Sequence, residues 1–193
     1  KRFAQQCDVI TYEFENVPCE AAEILSSIKP VFPPARALEV SQDRLVEKEF
    51  LQSLGIGTPR FRSASSESEL REACEVLGLP CIAKTRRFGY DGKGQVRIDE
   101  LTDVAQAWRL LNGVPLLVEG FVPFSRELSI IATRDQDGEI SIYPLSQNDH
   151  IDGILHRSEL PAPDVKPKLK KSAHQLISKV LGELRYACQP STM

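Results

Sequence analysis

The residues best suited to chemistry lie in Lys84-Thr-Arg-Arg-Phe-Gly-Tyr-Asp-Gly-Lys-Gly-Gln95, where four cationic side chains stand among three glycines. Glycine lets backbone amides approach oxyanions closely, and lysine or arginine neutralises them, so this composition suits a polyphosphate. The stretch is not the phosphate loop that opens a helix: Gln95 follows Gly94 where Lys-Ser/Thr would be required, and the residues after it alternate like a strand. With strand-like Cys81-Ile-Ala83 before it and Gln95-Val-Arg-Ile98 after it, the expected element is a hairpin flap. A solvated basic turn fits the same residues, and spacing alone leaves both readings open.

A flap needs a sheet behind it. From Thr58 to Glu119 the pattern runs strand, helix, strand, loop, strand, helix, strand. Ser66 and Glu69 form a capping box for a helix whose Leu70, Cys74 and Leu77 share a face, and Gly78 with Pro80 ends it. Val104, Ala107, Trp108 and Leu111 fall at i, i+3, i+4 and i+7 before a stop at Gly113, and the strand Leu116-Leu-Val118 follows. Upstream, residues 7–12 read as a strand and 18–28 as a helix ended by Lys29-Pro30. The proline-rich residues 30–34 read as a connection with a domain boundary nearby. One helix is expected over 41–54, carrying Val46, Phe50, Leu51 and Leu54, with Gly55 and Gly57 to stop it. Downstream, residues 127–133 and 139–143 should pair around Asp135-Gln-Asp-Gly138. His150 reads as a lone histidine in a loop, and a helix over 167–185 should turn Leu169, Leu176, Val180 and Leu184 inward.

With 41% hydrophobic residues in 193, the chain can bury the core of one domain or two small ones. A formal net charge of −3 provides no broad basic field, so neither a nucleic acid nor an anionic membrane is an expected partner. Five cysteines, Cys7, Cys19, Cys74, Cys81 and Cys188, form no C-x-x-C pair; a disulfide framework and a zinc site are both disfavoured, and a reducing cytoplasm is the expected setting. No run approaches the roughly 20 apolar residues of a membrane helix.

The Lys-x-x-x-x-Gly-Tyr-Asp-Gly-x-Gly-Gln form resembles the flap of ATP-grasp enzymes, and within them the carboxyaminoimidazole ribonucleotide synthases of purine biosynthesis. Further stretches agree in order: Val9-Ile-Thr-Tyr-Glu-Phe-Glu-Asn-Val-Pro18, Gln42-Asp-Arg44, Val118-Glu119, Ser125-Arg-Glu127, Tyr143-Pro-Leu145 and Asn148-Asp-His-Ile-Asp-Gly-Ile154. Together they span most of residues 8–160.

The resemblance implies an incomplete ATP-grasp fold of α/β (α+β) class. Residues 1–56 would be the tail of a Rossmann-like pre-ATP-grasp domain, 57–119 the flap subdomain, 120–186 the first part of the carboxyl-terminal ATP-grasp subdomain, and 187–193 an unrelated tail. Lys84 would contact ATP phosphates, with Arg44 as a second phosphate-side cation and Gly89, Gly92, Gly94 and Gln95 wrapping the chain around them. Glu119, Gly120, Phe121 and Val122 would form the hinge that reads adenine, Glu127 would accept from ribose hydroxyls, and His150 would touch the nucleotide. Tyr90, Asp91, Lys93 and Glu15, flanked by Glu13 and Asn16, would meet 5-aminoimidazole ribonucleotide. The catalytic set would be Lys84, Asp91 and Lys93, with Asp91 the base for the amine. Each has a plainer alternative: an exposed lysine at 84, an Arg44–Glu47 pair on a helix surface, a strand-end carboxylate at 119, a turn preference for Asp91-Gly92.

For the whole enzyme the resemblance implies that ATP phosphorylates bicarbonate to carboxyphosphate, whose carboxyl group passes to the ribonucleotide amine. It also implies Mg2+ held by acidic residues after a helix like the one ending near Arg185. No residue here matches those ligands, so the chain is expected to lack both ends of its enzyme and to be inactive alone, the complete enzyme being a homodimer. Two other functions stay open: a non-catalytic ATP-binding module, and a different ATP-grasp carboxylase or formyl-transferring ligase.

Overall fold

The computed structural model describes residues 1–89, 93–151 and 153–187. These form two compact units, one of residues 1–42, 126–149 and 157 onward, the other of 43–125 and 150–156.

The second unit is built on a four-stranded antiparallel sheet of β3 (Phe61–Ala64), β4 (Cys81–Thr85), β5 (Gln95–Ile98) and β6 (Leu116–Gly120), in the order β3-β6-β4-β5. Side chains alternate across a strand, which gives the sheet two different faces. Ala64, Cys81, Ala83, Ile98, Leu116 and Val118 point to one face and join Leu70, Ala73 and Cys74 of α4 (Glu67–Leu77) and Val104 and Ala107 of α5 (Val104–Leu110) in one buried core. The opposite face carries Lys84, Gln95, Arg97 and Glu119. Between Thr58 and Glu119 the expected element order holds, because each boundary has local chemistry. Ser66 Oγ accepts from the Glu69 amide and the Glu69 carboxylate accepts from the Ser65 amide, closing the start of α4, while Gly78 at φ +85° ends it. Ser66→Ala should therefore lower the unfolding free energy by about 1 kcal/mol, read as a shift of the urea midpoint. Burial pushes the Cys74 thiol up to about 12, with Cys81 adding to it, and burial raises Cys81 as well, so neither is a ready thiolate.

The same unit begins with α3 (Arg44–Ser53), and here the expectation of one helix over 41–54 is corrected. Asp43 is extended (φ −127°) and caps α3 by accepting from the Leu45 amide, so the helical pattern is broken into α2 (Ala35–Gln42) and α3. Gly55, at φ +68°, ends α3.

In the first unit, β1 (Ile10–Thr11) pairs in parallel with β2 (Val31–Phe32) beside α1 (Cys19–Ser26). The proline-rich stretch thus holds a short strand: Val31 is buried with Ile10 and Ala4, and Pro30 and Pro33 merely bound it. The Asp135–Gly138 turn joins β8 (Ala132–Arg134) to β9 (Ile140–Ile142) as expected, but the strand before it is split. Its first part, β7 (Glu127–Ser129), pairs instead with β10 (Ser146–Ile151), in a sheet of order β11-β10-β7 with β11 (Ile154–Glu159). His150 therefore stands on a strand, β10, where a loop was expected. In α6 (Pro167–Glu183), Leu181 is buried while Leu169 and Leu176 are exposed, so the inward face is rotated from the one expected. Among the described residues no helix is long and apolar enough to cross a membrane.

Candidate functional site

The polar face of the second unit concentrates charge. Ile82 pairs with Glu119 and Lys84 with Leu117 across β4 and β6, which makes Lys84 and Glu119 diagonal neighbours on one face. Lys84 Nζ donates to Glu119 Oε2 at 2.5 Å. From α3, Lys48 Nζ lies 2.9 Å from Glu119 Oε1, close enough for the charges although off the line of a good hydrogen bond. The carboxylate is almost fully buried, with 6% of its side chain exposed, against 19% for Lys48 and 25% for Lys84. Burial pushes the Glu119 carboxyl up, but the Lys84 hydrogen bond and the close ammonium groups of Lys84 and Lys48 together outweigh it and hold it below the usual glutamate range. Two ammonium groups on one carboxylate leave an excess of one positive charge at the foot of the glycine-rich hairpin.

A second node fixes the base of that hairpin. The Asp43 carboxylate accepts from Arg86 Nε at 2.9 Å and Nη2 at 2.7 Å, with Arg87 Nε at 3.5 Å, while also capping α3. Burial raises its carboxyl, yet the Arg86 hydrogen bonds, the Leu45 amide and the Arg86 charge lower it further than burial lifts it. Next in the chain, Arg44 Nη1 donates to Thr85 O at 2.7 Å and Nη2 to Gly89 O at 3.5 Å, and the Arg44 amide donates to Arg86 O. The backbone at Gly94 needs glycine, and a side chain at Gly89 would displace the Arg44 guanidinium. A Cβ at Gly89 would fall 2.7 Å from the pinned Arg44 guanidinium, and Gly94 adopts φ +74° with Thr85 Oγ1 2.6 Å from where a Cβ would sit.

Both depressed carboxylates tie stability to pH in one direction. A folded value below the unfolded one contributes stability that is complete above the ordinary carboxylate range and is lost as pH falls through the folded value. The unfolding free energy should therefore fall as the pH is taken down through and below the ordinary carboxylate range. Urea titrations across that range would show it, and Glu119→Gln should flatten the slope.

After β6, the Gly120 amide donates to Arg60 O and the Phe121 amide to Pro80 O, so these two donors are taken. Phe121 and Val122 are exposed, and the Arg97 guanidinium lies 4.5 Å above the Phe121 ring.

Of the expected site residues, Arg44, Lys84, Gly89, Gly94, Gln95, Glu119, Gly120, Phe121 and Val122 all belong to this unit. Lys93 is exposed on the hairpin beside Gly94, and His150 is exposed on β10, not in a loop. Tyr90, Asp91 and Gly92 lie outside the described residues. Glu127 and Glu15 lie in the other unit. There, Asn148 Nδ2 donates to Glu127 Oε1 at 3.2 Å and to Ser129 Oγ at 2.6 Å, while Ser158 donates to Asn148 Oδ1, so the Glu127 carboxylate is held from a neighbouring strand. Glu15 is exposed; its carbonyl accepts from Gln42. Lys48 is a contributor that no motif contains, and Asp43 and Asn148, which stand in the stretches that carry the resemblance, are given no role of their own by it.

Comparison with known proteins matches this geometry to a family. The ATP-grasp domain model covers residues 49–188, well over half the chain, and the ribonucleotide synthetase preATP-grasp domain model covers 1–42. The chain belongs to the ATP-grasp family. Among ATP-grasp relatives, the N5-carboxyaminoimidazole ribonucleotide synthase of Brucella melitensis is 46% identical over 185 residues, 95% of this chain and 51% of that protein. The crystal structure of the N5-carboxyaminoimidazole ribonucleotide synthetase from Thermus thermophilus superposes with a TM-score of 0.86 at 44% identity, over 96% of this chain and 50% of that one. The Aspergillus clavatus N5-carboxyaminoimidazole synthase, solved with ADP and 5-aminoimidazole ribonucleotide, gives 0.84 at 28% identity, over 94% and 47%. The chain thus spans about half the length of these ATP-grasp relatives.

Proposed function

We propose that this chain supplies the nucleotide-gripping part of an ATP-dependent ligase that carboxylates 5-aminoimidazole ribonucleotide with bicarbonate in purine biosynthesis. The observation that carries the reading is the Lys84–Glu119–Lys48 group, a surplus cation set on a strand end beside Gly89 and Gly94. On this reading residues 57–119 are the flap, 120–186 open the second half of the grip and 1–56 trail from the preceding domain. Lys84, Arg44 and the glycine-loop amides neutralise the phosphates, the Val122 amide and neighbouring carbonyls read adenine, and Glu127, held by Asn148, accepts from ribose. In the reaction a bicarbonate oxygen attacks the γ-phosphorus and ADP leaves. The ribonucleotide amine then attacks the carboxyl carbon, phosphate leaves, and the amine proton passes to a base, for which Asp91 is our choice. Chemistry of this kind depends on positioning and on charge neutralisation in a site that excludes water. Tyr90, Lys93, Glu15 and His150 complete the proposed substrate contacts, the setting is cytoplasmic, and the whole enzyme is a homodimer.

Magnesium is implied by the resemblance. Among the described residues no three His, Cys, Asp or Glu side chains gather as a metal site, so the residues do not fit it and no step here runs through it.

The test is ADP release from ATP with bicarbonate and 5-aminoimidazole ribonucleotide, each omitted in turn, by a protein in which this segment is completed to the length of its relatives. Release that needs both sustains the ligase. ATP binding without release favours the nucleotide-binding module, and release supported by another acceptor moves the chain to a different ATP-grasp carboxylase or ligase.

A further inference from the structure

A lysine that must grip phosphate is, in this structure, already bonded to a buried carboxylate. If Lys84 left Glu119 for an incoming oxyanion and nothing else faced that carboxylate, a charge with 6% of its side chain exposed would be stranded, and the cost would oppose binding. The two oxygens of Glu119 are shared out so that this need not happen. Lys84 takes Oε2 and Lys48 takes Oε1. They reach it from different elements, Lys84 from the end of β4 and Lys48 from the middle of α3, so one can swing away without the other moving. Helix α3 is itself tethered through the Asp43 cap and the Arg44 bonds to Thr85 and Gly89. Lys48 is therefore fixed relative to the hairpin base.

We propose that Lys48 is a positioning residue for phosphate binding: it keeps the Glu119 carboxylate neutralised so that Lys84 is free to leave it for the nucleotide phosphates. The proposal rests on the reading of this face as a nucleotide site. It asks more of Lys48 than an ordinary structural ion pair would, namely that its removal should weaken the grip on phosphate while sparing the grip on the base and sugar.

The experiment compares ATP with adenosine by calorimetric titration and competition, using the chain and its Lys48→Met, Lys48→Arg, Glu119→Gln and Lys48→Met/Glu119→Gln variants. In Lys48→Met, Lys84 becomes the sole partner of Glu119 and stays there, so the affinity ratio of ATP to adenosine should fall by about tenfold while adenosine affinity holds. Lys48→Arg should restore most of the ratio, and adding Glu119→Gln to Lys48→Met should restore it too, since a neutral amide has no charge for Lys84 to be held by. Equal losses for both ligands, or an unchanged ratio, would leave Lys48 a structural ion pair and overturn the proposal. Should thermal melting show that Lys48→Met does not fold, the double variant against Glu119→Gln decides: the proposal requires equal ratios, and a lower ratio in the double variant sinks it. A wild-type chain with no ATP affinity overturns the nucleotide reading itself and this inference with it.

Discussion

Lys84→Met should cut ATP affinity about a hundredfold while leaving the fold intact, because a hydrogen bond to a charged group is worth about 1.5–3 kcal/mol and more than the bond is lost. With lysine at 84 the cluster of Lys84, Glu119 and Lys48 carries a net charge of +1; with methionine it is neutral, and the attraction for a polyphosphate goes with the donor. The fold should survive because Lys48 still faces the buried carboxylate. Lys84→Arg is the informative partner. Its planar guanidinium keeps the charge but is a poor replacement for a compact ammonium reaching between strands, so intermediate affinity is expected. Titration calorimetry with ATP separates the three proteins, and a loss under about threefold for the methionine variant would mean the phosphates are held elsewhere.

How much of this was legible beforehand depended on how local the signal was. The element order between Thr58 and Glu119 could be read because each element ends on its own punctuation: Ser66 caps, Gly78 stops, Gly113 at φ +61° turns the chain after α5. Lys84 could be picked out from the glycines that follow it, and Glu119 from the resemblance. Lys48 could not. It is one lysine on a charged helix, and what gives it a role is a carboxylate 71 positions further along the chain, which only the antiparallel register of β4 and β6 brings within reach.

The same distinction accounts for the errors. Helical periodicity runs unbroken through residues 41–54, and the break at Asp43 comes from arginines more than 40 residues away. Strands β10 and β11 are exposed or half-buried, so they carry no apolar alternation to read; β10 is made a strand by pairing with β7, and β11 by pairing with β10. In α6 several faces carry leucine, and which of them is buried is decided by neighbours, since Leu181 is covered while Leu169 and Leu176 are not.

Asp43→Ala should destabilise the second unit by about 3 kcal/mol, a sum of a lost helix cap and a broken, largely buried ion pair. The two contributions can be told apart. Asparagine is as good a cap as aspartate, so Asp43→Asn keeps the bond to the Leu45 amide and removes only the charge opposite Arg86. If the pair carries most of the effect, Asp43→Asn should lose nearly as much as Asp43→Ala, and both losses should shrink when Arg86 is replaced by methionine, as a double-mutant cycle in urea would show. If the cap carries it, Asp43→Asn should be close to wild type. The ion pair should dominate, because Asp43 keeps only 7% of its side chain exposed and Arg86 28%. Removing either partner also loosens the joint between α3 and the hairpin base, where the Arg44 amide and guanidinium bind Arg86 O, Thr85 O and Gly89 O. The stability loss in Asp43→Ala should therefore come with weaker ATP binding, although the Asp43 carboxylate is itself turned into the two arginines that hold it.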